Sequence, residues 1–177
     1  MDGLEGATVG FVDETAMMVD PDRKRMINTR KVKYRSKGAS GARRANLFGF
    51  MAPNGNDVAM VSATAKSIDF ISFMEAVRDA NPAGTVVLVL DNATIHRSEA
   101  SMRAAEELGI LPVFLPPYSP DLNPIEIGWR DMKRELAAVL NFDLLVEASG
   151  PTALKLFKER KMSYSAHWRE VFLYDKR

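Results

Sequence analysis

The sequence contains no cysteine. Disulfides, zinc–thiolate sites and thiol chemistry are therefore excluded. No apolar run approaches the roughly 20 residues that a membrane-spanning helix needs. The acidic start, Met1 to Ala7, lacks the basic and apolar sections of a signal peptide. These absences fit a cytoplasmic protein. Acidic residues are also missing from one long stretch, Arg23 to Asn56. That stretch carries Arg23, Lys24, Arg25, Arg30, Lys31, Lys33, Arg35, Lys37, Arg43 and Arg44, although the whole chain has a net charge of only +1. A concentrated positive segment in a near-neutral protein suits a polyanion, and it also suits a solvated basic loop. What is present is ordinary for one domain: 177 residues, 46% apolar and 27% charged, without repeats or low-complexity segments.

Hydrophobic patterning predicts an alternation of strands and helices. Ala7 to Val12 reads as a strand ending at Asp13-Glu14, and Met17 to Val19 as the beginning of a second. Ala45 to Met51 and Asp57 to Ser62 read as two strands joined by the turn Pro53-Asn54-Gly55-Asn56. Ser67 is expected to cap a helix whose stripe is Phe70, Ile71, Met74 and Val77. Thr85 to Leu90 is apolar at every position, which suits a central strand covered on both faces. Ser98 opens a second helix, with Met102, Ala105 and Leu108 inward and Gly109 as its stop. Ile110 to Leu115 follows as a parallel-type strand. A proline-rich loop, Pro116 to Pro124, leads into a helix with Ile125, Trp129, Met132, Leu136 and Val139 at helical spacing. The tail from Ser149 reads as helical, with Trp168, Val171 and Phe172 packing back. This order predicts an α/β fold, a mixed sheet with helices on both faces.

Three acids fall at the ends of these elements: Asp13, Asp91 and Glu126. Ligands of open α/β sheets bind beyond the carboxyl ends of the strands, where parallel strands would bring Asp13 and Asp91 together. Oxygen ligands without His or Cys suit a hard cation such as Mg²⁺ or Mn²⁺. Each acid has a second reading. Asp13-Glu14 could open a loop, and Asp91-Asn92 could bond its own backbone at a strand end. Asn123, Pro124 and Glu126 could form the N-cap, N1 and N3 of a capping box. Glu126 could also pair with Arg130.

The stretch Val-Leu-Val-Leu-Asp-Asn-Ala-Thr-Ile-His-Arg-Ser (87 to 98) and the stretch Leu-Pro-Pro-Tyr-Ser-Pro-Asp-Leu-Asn-Pro-Ile-Glu (115 to 126) resemble the second and third catalytic blocks of mariner-type DDE transposases. Trp129 and Lys133 match as well, and Phe11-Val12-Asp13-Glu14 resembles the first block. The 34 residues between Asp91 and Glu126 are the spacing common in the bacterial and archaeal insertion-sequence branch. The resemblance runs roughly from Gly10 to Leu140. It implies a ribonuclease H-like five-stranded sheet flanked by helices, with the core at about 7–140 and a helical tail at 149–177. It implies Asp13, Asp91 and Glu126 as a catalytic and metal-binding triad holding two Mg²⁺ or Mn²⁺ ions. The implied reaction is hydrolysis at transposon ends and transfer of the 3′-hydroxyl into target DNA.

Around the triad, Asn92 becomes a candidate for orienting Asp91 from behind, against a turn-shaping role. His96, just after the second block, becomes a candidate for contacting DNA or the scissile phosphate from outside the ligand set, against a helix-cap or packing role. Arg130 and Lys133 share a helix face with Glu126 and could hold phosphates, as could Arg35, Arg43 and Arg44 in the basic segment. Expected partners are double-stranded DNA, a second copy in the active complex, and a helix-turn-helix subunit or segment, because no such module fits before Asp13. A nucleoid-associated location follows from the same reading. The alternatives are a ribonuclease H-like nuclease of another type and a catalytically silent DNA-binding domain. If the basic segment grips phosphates, counterion release makes DNA binding weaken steeply with salt. Replacing Arg35, Arg43 and Arg44 by Ala is expected to lower the log Kd against log salt slope by about 1 for each phosphate that is no longer held, without altering sequence preference. An unchanged slope in a salt titration would identify the segment as a solvated loop.

Overall fold

The structure is a computed structural model that describes residues 6–19, 43–117 and 119–173, with side chains described as far as Lys161. Five strands and five α-helices are described: β1 (Thr8–Met18), β2 (Arg44–Met51), β3 (Val58–Ser62), α1 (Ser67–Ala80), β4 (Val86–Leu90), α2 (Thr94–Arg97), α3 (Glu99–Glu107), β5 (Ile110–Phe114), α4 (Ile125–Glu135) and α5 (Phe142–Leu173). The strands form one mixed sheet in the order β3-β2-β1-β4-β5. β1 pairs antiparallel with β2 and parallel with β4, and β5 is parallel to β4.

Strand alternation sorts the side chains onto two faces. Phe11, Met17, Leu47 and Met51 face α4 and α5, where Ile125, Trp129, Met132 and Phe157 close the core. Val12, Phe48, Phe50, Leu88 and Leu90 face the opposite side and meet Phe70, Phe73, Met74 and Val77 of α1. Both faces of β1 and β4 are therefore buried, as the unbroken apolar run at 86–90 anticipates.

Several expectations are corrected. The strand read as ending at Asp13 continues to Met18, so no separate strand begins at Met17. Its partner β2 supplies the reason, because the register Asp13↔Gly49 to Met18↔Arg44 keeps the backbone paired past the acids. Met102 is 39% exposed rather than inward, and the buried positions of α3 are Ser101 and Ala105. The final helix begins at Phe142, before Ser149. The side chains of Trp168, Val171 and Phe172 lie outside the described residues. Ser98 does cap α3, accepting from the Ser101 amide, and Gly109 adopts the left-handed conformation (φ +63°) that ends the turn before β5.

β5 lies at the sheet edge. The Leu115 amide donates to the Leu90 carbonyl. By alternation, Val113 and Leu111 also turn their amides inward and Pro112 faces the free edge. A proline there has no donor to offer an incoming strand, which blunts the edge. The far part of the long helix α5 is tied down by two neighbouring basic residues. Arg160 pairs with the nearly buried Asp131 of α4, and Lys161 meets Asp57 beside β3 at 2.9 Å. Among the described residues no helix is long and apolar enough to cross a membrane.

Sheet and helix approach each other tightly at Gly49. A Cβ there would meet the Trp129 ring at 2.4 Å and Phe157 at 3.0 Å. Both rings are fixed by burial, so neither can retreat. Gly49→Ala is expected to destabilise the chain by about 1–3 kcal/mol through overpacking. Denaturant unfolding would read this as a lower midpoint with an unchanged slope, and an unaltered midpoint would contradict the packing described.

Candidate active site

The parallel pairing of β1 with β4 ends at Phe11↔Val89. Beyond that rung β4 yields Leu90 and then Asp91, while β1 carries on with β2 as its remaining neighbour. Asp13 thus points from a paired strand into space that β4 has vacated. On the other side, the chain after β5 crosses back through the proline-rich loop to start α4. Asp13, Asp91 and Glu126 line one cavity of about 480 Å³, walled by Asn92, Ala93, Asn123 and the loop residues Leu115 to Pro117 and Ser119.

Two asparagines hold the walls. Asn92 Nδ2 donates to the Leu115 carbonyl at 2.6 Å, joining the loop after β4 to the end of β5. Asn123 is buried, and its Nδ2 donates to the Val12 carbonyl at 3.0 Å while its Oδ1 accepts from the Ile125 amide at 3.4 Å. One side chain therefore fastens the start of α4 to the strand that carries Asp13. The capping-box reading of 123–126 is corrected accordingly. The helix begins at Ile125, and Glu126 in its first turn is exposed at the cavity. Arg130 pairs with Asp131 at 3.9 Å, and no Glu126–Arg130 ion pair occurs among the described residues.

Each strand acid has one carboxylate oxygen already engaged. Trp129 Nε1 donates to Asp13 Oδ2 at 3.0 Å. Asp91 Oδ1 accepts from the Ala93 amide at 2.9 Å and contacts His96 Nδ1 at 2.8 Å. The His96 side chain is fully buried, beneath the Phe70 ring at 4.5 Å. Its Nε2 approaches Glu14 Oε2 to 3.2 Å, within ion-pair range but misaligned, so that neither atom has a hydrogen-bond partner. Burial opposes charge on this imidazole. The Glu14 and Asp91 carboxylates outweigh it and hold the pKa above its ordinary value.

Asp13 carries the opposite strain. Burial first, then the charges of Glu126 and Glu14, push its pKa up to about 7, against hydrogen bonds from the Glu14 amide and Trp129. The described cavity lining contains no cationic side chain. The donor set consists of hard carboxylate oxygens, which fits Mg²⁺ or Mn²⁺. As they stand, no three His, Asp or Glu side chains among the described residues are gathered into a ready metal cluster.

The model of the DDE superfamily endonuclease family matches residues 8–145. The chain belongs to that family. No curated protein matches the sequence. Among solved structures, this DDE endonuclease domain is similar to Mos1 transposase in a paired-end complex with the left transposon end, at 16% identity and a TM-score of 0.55, over 89% of this chain and 53% of that one. The Mos1 mariner paired-end complex with Mn gives the same values. The Mos1 catalytic domain with raltegravir and Mg aligns at 15% identity and a TM-score of 0.54, over 87% of this chain and 80% of that one. Likeness at such identity shows the fold, which is ribonuclease H-like. The DDE domain spans about half the length of the first of these relatives.

The remaining described candidates lie apart from the cavity lining. Arg43 pairs with Asp143 at 2.8 Å and covers the Phe142 ring, and Arg44 reaches Asn46 at 3.4 Å. Lys133 is exposed on α4. Arg35 and the bulk of the basic segment lie outside the described residues. Sequence reasoning placed Trp129 in the core and missed its bond to Asp13. Its spacing of three residues from Glu126, one turn along the same helix, was the available signal.

Asp13 holds a proton more tightly in the folded chain than in the unfolded one. Without divalent cation, its contribution to stability is greatest below the ordinary value of 3.8 and is lost as pH rises towards about 7. Asp13→Asn has no such proton to lose. In chelator, the wild-type Tm is expected to fall relative to that of Asp13→Asn across this window, and added Mg²⁺ is expected to restore the wild type alone. Parallel Tm profiles for the two proteins would rule out the strain described.

Proposed function

We propose that this chain is the catalytic domain of a DNA transposase. It hydrolyses phosphodiester bonds at transposon ends and transfers the freed 3′-hydroxyl into target DNA. One observation carries the reading: three acids, in β1, just after β4 and in α4, line a single cavity free of described cationic side chains, in a chain of the DDE superfamily endonuclease family. In this reading Asp13, Asp91 and Glu126 hold two Mg²⁺ or Mn²⁺ ions. When bound, such ions would activate an attacking oxygen and stabilise a leaving one on the phosphodiester. The Mn and Mg of the Mos1 structures support the choice of ion.

The protein's part is orientation. Trp129 and His96 engage one oxygen each of Asp13 and Asp91, which directs the other oxygen of each towards the cavity. Asn123 locks the start of α4 against Val12, which keeps Glu126, in the first turn of that helix, beside the cavity. Arg130 and Lys133, on the same helix as Glu126, serve as phosphate contacts flanking the cavity. Arg35, Arg43 and Arg44 contact the DNA backbone further out, Arg43 by exchanging Asp143 for a phosphate. Phosphate contacts carry no sequence information directly. Recognition of transposon ends therefore falls to a helix-turn-helix segment in the same or a separate polypeptide. The active complex pairs two copies of the domain on two ends, in the nucleoid of a cytoplasm.

Asp91→Asn removes one charge without changing size. Cleavage of end-bearing DNA in Mg²⁺ or Mn²⁺ is expected to fall by more than the roughly 10–100-fold that losing an outer partner of a metal ligand costs. The Tm in chelator should stay close to that of the wild type. A folded Asp91→Asn protein that cleaves at the wild-type rate would show that the site has been misassigned.

A further inference from the structure

Glu14 follows Asp13 directly, and strand alternation sends it to the other face of the sheet. It does not line the cavity. On that face α1 and α2 provide Phe70 and His96, and the imidazole is wedged against the Phe70 ring with its side chain fully buried. A buried imidazole with no carboxylate partner would be a neutral packing group. Here its two nitrogens face two different acids, Asp91 Oδ1 at 2.8 Å and Glu14 Oε2 at 3.2 Å. Glu14 is anchored in the middle of an eleven-residue strand, at a rung where it pairs with Phe48 of β2. Asp91 instead sits just beyond the end of β4, on a largely exposed side chain.

From this geometry we infer that Glu14 is a positioning residue for Asp91, acting through His96. His96 bridges the two carboxylates, with Nδ1 2.8 Å from Asp91 Oδ1 and Nε2 3.2 Å from Glu14 Oε2, so the seat of the ring between Glu14 and Phe70 fixes where Asp91 Oδ1 can lie. The rigid strand β1 thereby dictates where the carboxylate after β4 is held. Asp91 Oδ1 is occupied by His96 and the Ala93 amide, and its Oδ2 is left for a ligand in the cavity. A metal-binding acid with no such support would sample several rotamers and bind its ion less tightly. Two consecutive residues of one strand would then serve two acids of the site. Asp13 does so directly on one face, and Glu14 does so through an intermediary on the other.

This inference rests on Asp91 being a metal ligand, and the test separates the two claims. Calorimetric titration with Mn²⁺ on the whole chain would compare the wild type with Glu14→Gln, His96→Asn, the double variant and Asp91→Asn. Each protein is first melted in chelator to establish that it is folded. Glu14→Gln keeps the shape and removes the charge. His96→Asn keeps an amide donor near Asp91 and cuts the connection to Glu14. Each is expected to weaken Mn²⁺ binding by about 10–100-fold. The double variant should be no weaker than His96→Asn alone, because the second change breaks a link already cut. Half-saturating Mn²⁺ for cleavage should rise in step, with the KM for DNA unchanged. If Asp91→Asn loses Mn²⁺ while folded Glu14→Gln binds it as the wild type does, the inference falls and the site assignment stands. A lower Tm with unchanged Mn²⁺ affinity in Glu14→Gln would also overturn it, by reducing Glu14 to a structural role. If Asp91→Asn itself binds like the wild type, both claims fall.

Discussion

The parallel ladder between β1 and β4 stops at Phe11↔Val89, whereas the antiparallel ladder between β1 and β2 continues to Met18. The rest of the site depends on this difference in length. Where β4 ends, the core on the α4 side of β1 opens into a cavity, yet the backbone of β1 stays fully paired to β2. Asp13 is therefore held on a rigid strand at the edge of an aqueous space. A carboxylate on a loop could relax away from its neighbours. One in mid-strand cannot, and this is why burial and the nearby acids raise its pKa so far.

Around that point the polar contacts form a sparse frame. Trp129 and Asn123 connect α4 to β1, one through the acid itself and the other through the preceding carbonyl. Asn92 connects the loop after β4 to the end of β5. Each of these three groups is a neutral donor, so none competes with a cation for charge. The ionic partners stand behind the site: His96 and Glu14 on the α1 face, and Asp131 with its arginines under α5. Space is regulated in the same region by Gly49, whose missing side chain admits the Trp129 ring against the sheet. The indole can reach Asp13 only because that position is a glycine.

Much of the architecture was legible from periodicity. The apolar run at 86–90, the cap at Ser98, the glycine stop at 109 and the stripe through Ile125, Trp129 and Met132 all correspond to observed elements. These features are local, since a strand buried on two faces or a helix with one wet face must be written within a few neighbouring residues. The misread places were those where a partner overrode the local pattern. Asp13-Glu14 has the polarity of a strand end, but β2 pairs straight through it. Met102 has the spacing of a core residue, but it turns to solvent while the smaller Ser101 and Ala105 face inward.

The sequence alone determined the chemistry available: three acids in two specific blocks and a shorter one, an absence of thiols, and a proline-rich approach to the last acid. These are matters of residue type and order, which do not require knowing where the chain goes. Only the tertiary structure decided which groups meet. Trp129 lies 116 residues from Asp13, Asn123 lies 111 from Val12, and His96 stands between Glu14 of β1 and Asp91 just after β4. Such contacts follow from sheet order and face assignment. A one-residue change of register would send every side chain of a strand to the opposite face.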